Sequence, residues 1–307
     1  MSKKKLAISV GDLNGIGIEI ALKAHSEVKK LCHPIYCINK TMLQKASDLL
    51  GVDVDDDIEL FEVDGEFEIK PSQLTLESGE YSYRSFMSAI KLCEDKIADG
   101  VVTMPIHKEA WKMAGIEYKG HTDLLRHHFK KDAIMMLGCS SMYVALFSEH
   151  IPLKDVAPLV TKDRLVVFLQ DLHRSIGDKK VAVLGLNPHA GDNGVLGDEE
   201  REIESAIEYV NAKIGKEIFS GAVVPDVAFT PHFRERFRYF VAMYHDQGLA
   251  PLKALYFDES VNISLNLPIV RTSVDHGTAF DIAYMNKAKT LSYINAIKSG
   301  ISFAKQR

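Results

Sequence analysis

Short apolar runs alternate with helically spaced segments along nearly the whole chain. Leu6–Val10, Pro34–Ile38, Ile58–Phe61, Val101–Met104 and Val181–Leu186 have strand length. Between and after them, Ile18–Val28, Thr41–Leu50, Ser82–Ala98, Leu165–Ile176 and Glu199–Lys213 repeat apolar residues at helical spacing. Ala133–Leu137 and Met142–Phe147 predict a hairpin joined by Gly138-Cys139-Ser140-Ser141. Val241–Met243, Val261–Leu265 and Ile269–Val270 predict further short strands, and Ala288–Lys305 a closing helix. Thr41 is the expected N-cap of its helix, and Thr122 or Asp123 of the helix after Gly120. Alternating strands and helices predict an α/β fold with a mostly parallel sheet.

Polar residues interrupt this pattern most densely between Tyr244 and Ala283. Tyr244-His245-Asp246-Gln247-Gly248, Lys253, Asn262, Arg271 and Asp275-His276-Gly277-Thr278-Ala279-Phe280-Asp281 fall among apolar runs, where strand ends and loops carry chemistry in α/β proteins. Lys253, Asn262 and Arg271 suit a small, doubly charged anion, because burying such charges without a ligand is costly. Gly120-His121-Thr122-Asp123 precedes a helix, so His121-Thr122 reads either as a phosphate contact or as plain capping. Gly11-Asp12-Leu13-Asn14-Gly15-Ile16-Gly17 joins a strand to a helix, but its spacing is not G-x-G-x-x-G and by itself signals only a tight turn. His150, His189 and His245 each follow a short apolar run. They are either a three-imidazole metal site with an open position or three unrelated loop histidines.

Composition narrows the picture. The 307 residues suffice for one large or two medium domains, and a hydrophobic content of 46% for a sizeable core. A formal net charge of −5, with Lys3-Lys4-Lys5 as the one basic tract, speaks against nucleic-acid binding. Leu6–Val10 is too short for a secretory h-region, and no run reaches the length of a membrane span. Cys32, Cys37, Cys93 and Cys139 show no C-x-x-C spacing, as expected of reduced thiols in a cytoplasmic protein.

Seven segments resemble the 4-hydroxythreonine-4-phosphate dehydrogenase family of vitamin B6 biosynthesis. They are Gly11-Asp12-x-x-Gly15-Ile16-Gly17, Pro105-Ile106-His107-Lys108, Gly120-His121-Thr122, His150-Ile151-Pro152-Leu153, Gly185–Gly191, Tyr244–Leu249 and Arg271–Ala279, and they occur in the family's order from end to end. Leu13 and Ile18 stand where that family usually has Pro, and Asp192-Asn193-Gly194-Val195 where it often has Gly-Gly-His.

The resemblance implies two α/β domains with a cleft between them, similar to isocitrate and isopropylmalate dehydrogenases. The expected division is 1–130 plus 267–307 against 131–266. It implies NAD, with NADP as the related alternative, held by His276, Gly277, Thr278, Ala279 and Asp281 and provisionally by Asp12. It implies a divalent metal on His150, His189 and His245. Three imidazoles favour zinc, while an oxygen-rich substrate completes a magnesium, manganese or cobalt site. Substrate, a small phosphorylated hydroxy amino acid, falls to His121, Thr122, Lys253, Asn262 and Arg271. Asp246 is either the general base or a group that orients His245; Lys108 is the other base. The family resemblance also implies a homodimer with the site shared across its interface, His150 serving the partner's site and His189 and His245 their own. A paralogous dehydrogenase of threonate or erythronate 4-phosphate, and more distantly a phosphate acyltransferase of related fold, are the competing functions.

Overall fold

A computed structural model describes residues 3–305. In chain order the elements are β1 (Lys5–Ser9), α1 (Gly17–Leu31), β2 (His33–Cys37), α2 (Lys40–Leu50), β3 (Glu59–Phe61), α3 (Leu76–Glu94), β4 (Gly100–Thr103), α4 (Lys108–Met113) and α5 (His121–Phe129). Next come β5 (Ile134–Cys139), β6 (Met142–Leu146), α6 (Lys162–Ile176), β7 (Val181–Leu184), α7 (Glu200–Ile214), β8 (Phe219–Val223), α8 (Pro231–Arg236) and β9 (Tyr239–Ala242). The chain closes with α9 (His245–Tyr256), β10 (Val261–Leu265), β11 (Arg271–Val274) and α10 (Leu291–Ala304). The chain divides into two compact units. The first runs to Lys131 and also takes Val261–Ile263 and everything from Leu267 onward; the second comprises Asp132–Ser260 and Ser264–Asn266.

In the first unit five strands are ordered β3-β2-β1-β4-β11, and every pairing is parallel. Leu6, Ala7, Ile8, Val101 and Val102 are fully buried, as strands covered on both faces require. The chain leaves β1 toward β2 on one side, while β4 lies on the other. The loops after β1 and β4 therefore diverge at a topological switch point, where open parallel sheets bind ligands. Helix α3 packs against β1, β2 and β4. Its Ser85 Oγ accepts from the Val10 N–H at 3.0 Å and donates to the Cys37 carbonyl at 2.7 Å, satisfying backbone groups just past the end of β1 and at the end of β2. Helix α2 is capped by Asn39, whose side chain accepts from Met42 N at 2.8 Å, not by Thr41; asparagine is the stronger N-cap.

In the second unit the order is β5-β6-β9-β7-β8, and only β5 and β6 run antiparallel. The β5–β6 turn is tighter than expected: Gly138 and Cys139 pair with Tyr143 and Met142, leaving only Ser140-Ser141 to turn. Val144, Leu146, Leu184, Phe240, Ala242, Leu249 and Leu252 form the centre of this unit's core. Helix α9 reaches the sheet because residue 248 is glycine. A Cβ there would lie 2.4 Å from Val144 Cγ1 and 2.8 Å from Ala242 Cβ. Among the described residues, no helix is long and apolar enough to cross a membrane.

Candidate functional site

In the first unit the loops after β1 and β4 touch. Asp12 N donates to Pro105 O at 2.9 Å. The glycine turn also meets the loop that follows β11: Ile16 N donates to Thr278 O at 3.0 Å, and a Cβ on Gly15 would stand 2.8 Å from the same oxygen. Tyr284 Oη adds a bond to Leu13 O at 2.7 Å. The turn that spacing alone left as a plain connection is thus built against His276–Asp281.

Several polar side chains of this unit are short of partners. Asp12 Oδ2, His107 Nδ1, His121 Nε2, Asn262 Oδ1 and His276 Nε2 are buried without a hydrogen-bond partner. Native proteins leave few such atoms, and those they leave call for a ligand or a functional reason. Burial pushes the Asp12 carboxyl up, against the Asn14 N–H, Ser78 and His107, which pull it down. Arg271 is only 3% exposed; its Nη2 donates to Thr103 Oγ1 at 2.8 Å, and burial lowers its pKa to about 9, still above neutrality. His121 packs edge-on against Phe86 and Trp111, with centroids 4.6 and 5.6 Å away. Burial and the nearby Arg271 charge hold its pKa well below the ordinary histidine value, so it is a neutral imidazole at pH 7.

His121 is the first residue of α5 rather than the one before it. Gly120 takes the N-cap position with no side-chain cap, so neither Thr122 nor Asp123 caps that helix. Asp123 instead accepts from Lys119 N at 3.0 Å. Lys108 runs past Gly120, its Cε 3.7 Å from where a Cβ on that glycine would sit. Gly277 and Asp281 are exposed, and Thr278 and Ala279 half-buried, on the loop that meets the glycine turn.

The second unit holds the three histidines. His150 follows β6, His245 follows β9 and His189 follows β7, and β6, β9 and β7 are adjacent parallel strands. His150 and His245 have ring centroids 5.4 Å apart. Two parallel neighbouring strands bring both imidazoles to one strand edge of one chain. His189 does not join them in a cluster with ligand atoms within 4.8 Å; among the described residues only His25, Asp55 and Asp57 form such a group. That group already holds a cation, Lys29 Nζ, 3.0 Å from Asp57, and belongs to none of the seven motif segments.

His245 Nδ1 lies 2.7 Å from Asp246 Oδ1. A carboxylate on one ring nitrogen leaves the other free as a ligand, so the pair fits a metal-binding histidine and its orienting partner. Gln247 locks the same turn, accepting from Met243 N and donating to Gly185 O, both at 2.7 Å. His189 sits on a run of left-handed residues, His189, Ala190, Asp192 and Asn193, with φ between 43° and 56°. Buried Glu200, unmarked by any motif, braces that run by accepting from Leu186 N at 2.8 Å and Asn187 N at 2.7 Å. Lys253 was expected in a loop but occupies the last turn of α9, its Nζ 5.8 Å from the Phe257 ring centroid.

Largely parallel strands with polar loops at their carboxyl ends define an α/β protein of the kind that places its chemistry at those ends. Within that class, the chain belongs to the family of the pyridoxal phosphate biosynthetic protein PdxA, whose family model matches residues 30–300. It is 67% identical over 306 residues to 4-hydroxythreonine-4-phosphate dehydrogenase of Sulfurimonas denitrificans, covering 100% of both chains. It is 54% identical to the enzyme of the same name from Campylobacter fetus, covering 98% of each. A 4-hydroxythreonine-4-phosphate dehydrogenase structure from Burkholderia phymatum superposes with a TM-score of 0.85 at 29% identity, covering 99% of each chain.

Proposed function

We propose that the chain is an NAD-dependent dehydrogenase that oxidises the C3 hydroxyl of 4-phosphohydroxythreonine. The product is a β-keto acid that loses carbon dioxide to give 3-amino-2-oxopropyl phosphate, a step toward pyridoxal phosphate. Full-length relatives carry that enzyme name. The observation that carries the reading is the set of buried, unsatisfied polar atoms on Asp12, His107, His121, Asn262 and His276, in the same unit as the buried Arg271. Such a set is costly to bury unpaired, and a polar, charged ligand would satisfy it.

Arg271 presents a fixed guanidinium fork, anchored through Thr103, to the phosphate or carboxylate of the substrate. Neutral His121, with Thr122, Asn262 and Lys253, supplies the remaining polar contacts. The loop His276–Asp281 and Asp12 hold NAD, the hydride acceptor. His150 and His245, facing each other on one chain, fit two ligands of one divalent ion, and His189 supplies the third. Zinc suits an all-imidazole donor set, and magnesium, manganese or cobalt suit one completed by substrate oxygens. Such an ion, when bound, supplies a Lewis acid that acidifies a substrate hydroxyl and polarises a ketone. Asp246 orients His245, which leaves Lys108, beside Gly120-His121, as the group that takes the hydroxyl proton. The three imidazoles of one chain do not form a cluster with ligand atoms within 4.8 Å, so the third ligand, His189, is taken from a second copy, with a homodimer as the working form.

The test is NADH formation from 4-phosphohydroxythreonine, with erythronate 4-phosphate run alongside, before and after exhaustive chelation. Turnover of the amino substrate that chelation abolishes and added metal restores is expected. Faster turnover of erythronate 4-phosphate would reassign the substrate, and unchanged activity after chelation would remove the metal.

A further inference from the structure

His107 stands out among the unsatisfied groups because nothing above gives it a task. It follows β4 as Asp12 follows β1, and these are the two strands that flank the switch point of the first unit. The loops are tied by the Asp12 N–H···O=C Pro105 bond of 2.9 Å. The imidazole is stacked on Phe280 of the cofactor loop, with centroids 5.1 Å apart and planes inclined by 26°, so its orientation is fixed. Its Nδ1 is buried and unbonded. Asp12 is 1% exposed, and one of its oxygens is engaged: Oδ1 accepts from Asn14 N at 2.9 Å. The other, Oδ2, is buried with no partner at hydrogen-bonding distance, although Ser78 lies near enough to favour the ionised carboxylate. The two groups interact electrostatically, His107 favouring the ionised carboxylate, and an imidazole nitrogen that carries hydrogen is a donor.

One unsatisfied acceptor and, in the tautomer with hydrogen on Nδ1, one donor, on two loops tied by a backbone bond, match a planar group bearing one N–H donor and one carbonyl acceptor. Ribose hydroxyls fit less well, because a carboxylate that binds a diol uses both oxygens, and one here is taken. Thr103, four residues before His107, anchors the substrate cation Arg271. The redox-active end of the dinucleotide must lie next to substrate, so the matching group is the carboxamide of the nicotinamide ring. We propose that Asp12 and His107 clamp this carboxamide, Asp12 Oδ2 accepting from its nitrogen and His107 Nδ1 donating to its oxygen. The clamp fixes which face of the ring meets the substrate. This inference rests on NAD being the oxidant, as proposed above.

The test is calorimetric affinity of the full-length protein for three dinucleotides. These are NAD, 3-acetylpyridine adenine dinucleotide, which keeps the carbonyl but loses the amide N–H, and nicotinamide hypoxanthine dinucleotide, which is altered only at the adenine. Wild type is expected to bind the acetylpyridine analogue about tenfold or more weakly than NAD, the worth of one hydrogen bond to a charged group. In Asp12→Asn, the Asn14 N–H still demands an acceptor, so the amide nitrogen takes the place of Oδ2. That variant should lose a similar factor for NAD and for the hypoxanthine analogue, while its preference for NAD over the acetylpyridine analogue disappears. His107→Phe keeps the stack on Phe280 and removes the donor, so it should weaken all three alike. Equal loss of all three in Asp12→Asn would overturn the clamp, and so would a penalty that vanishes for the hypoxanthine analogue instead, since adenine would then occupy the pair. If Asp12→Asn does not fold, the wild-type ratio and His107→Phe decide. A wild type that binds no dinucleotide overturns the cofactor reading and the clamp with it, whereas NAD binding without discrimination overturns the clamp alone.

Discussion

The imidazoles of His150 and His245 face each other within one chain, centroids 5.4 Å apart and planes inclined by 45°. If both serve one ion and His189 comes from the other copy, subunit mixing has a defined outcome. Mixing His189→Ala with His245→Ala subunits creates one site with all three ligands and one with His150 alone. With random exchange about half the dimers are mixed, so about a quarter of wild-type activity returns, a consequence of two-site symmetry. Mixing His150→Ala with His245→Ala restores nothing, because each pair keeps one defect. Activity assays on differently tagged, verified mixed dimers check this, and rescue in the second mixture but not the first would reverse the assignment.

Glu200 is expected to matter as much to the histidine set as a residue in a recognised motif. Its carboxylate accepts from Leu186 N and Asn187 N and lies 3.0 Å from Asn187 Nδ2. It thereby holds the start of the left-handed run that carries His189, a conformation costing about 1–2 kcal/mol per non-glycine residue. Glu200→Ala leaves those buried donors unpaired and should destabilise the protein by about 2 kcal/mol or more. Metal affinity should fall beyond what the same loss of stability produces elsewhere. Urea unfolding and metal titration, compared with an equally destabilising substitution in the α3 core, separate the two effects.

Much of this was legible in the chain. The strand–helix alternation marked β1, β2 and β4 because parallel strands buried on both faces are nearly continuous apolar runs. Helix α9 was not legible. Its first turn, His245-Asp246-Gln247, is polar because it carries the site, and its packing depends on Gly248, a poor helix former whose missing side chain lets the helix sit on Val144 and Ala242. Strand β8 escaped notice because only Phe219 in it is buried. For the site, His150 and His245 were readable as residues after apolar runs, but their pairing required the order β6-β9-β7, which no local pattern encodes. Glu200 looked like one of several acids at a helix start, the bland expectation from the macrodipole.

His121 should make the protein acid-sensitive in a defined window. Its folded-state pKa lies well below the ordinary value of 6.5, because burial and the Arg271 charge oppose protonation. The unfolded chain therefore binds a proton first as pH falls below 6.5. The stability this neutral imidazole contributes is complete above 6.5 and is lost progressively as pH drops toward the folded value, by at most about 1.4 kcal/mol per pH unit. Urea unfolding at about pH 7.5 and pH 5.5 should show a smaller acid loss in His121→Gln than in wild type. Equal losses would mean that His121 is protonated in the folded protein.

Arg271→Lys keeps the charge and should still fail as a substrate anchor. The guanidinium donates from Nη2 to Thr103 Oγ1 at 2.8 Å, which fixes the orientation of its planar fork. A lysine ammonium is a point charge on a flexible stem; reaching Thr103, it no longer presents a second, parallel donor. Losing one charge-assisted hydrogen bond is worth about 1.5–3 kcal/mol, so KM for the phosphorylated substrate should rise by roughly tenfold to a hundredfold. NAD affinity should stay near wild type, because the dinucleotide is assigned to His276–Asp281, Asp12 and His107. Thr103→Val removes the anchor but keeps the guanidinium, and should give a smaller rise in KM. Steady-state kinetics on both variants, with NAD binding measured separately, test the assignment. If KM for substrate is unchanged in Arg271→Lys, the buried cation serves the fold and the anion is held elsewhere.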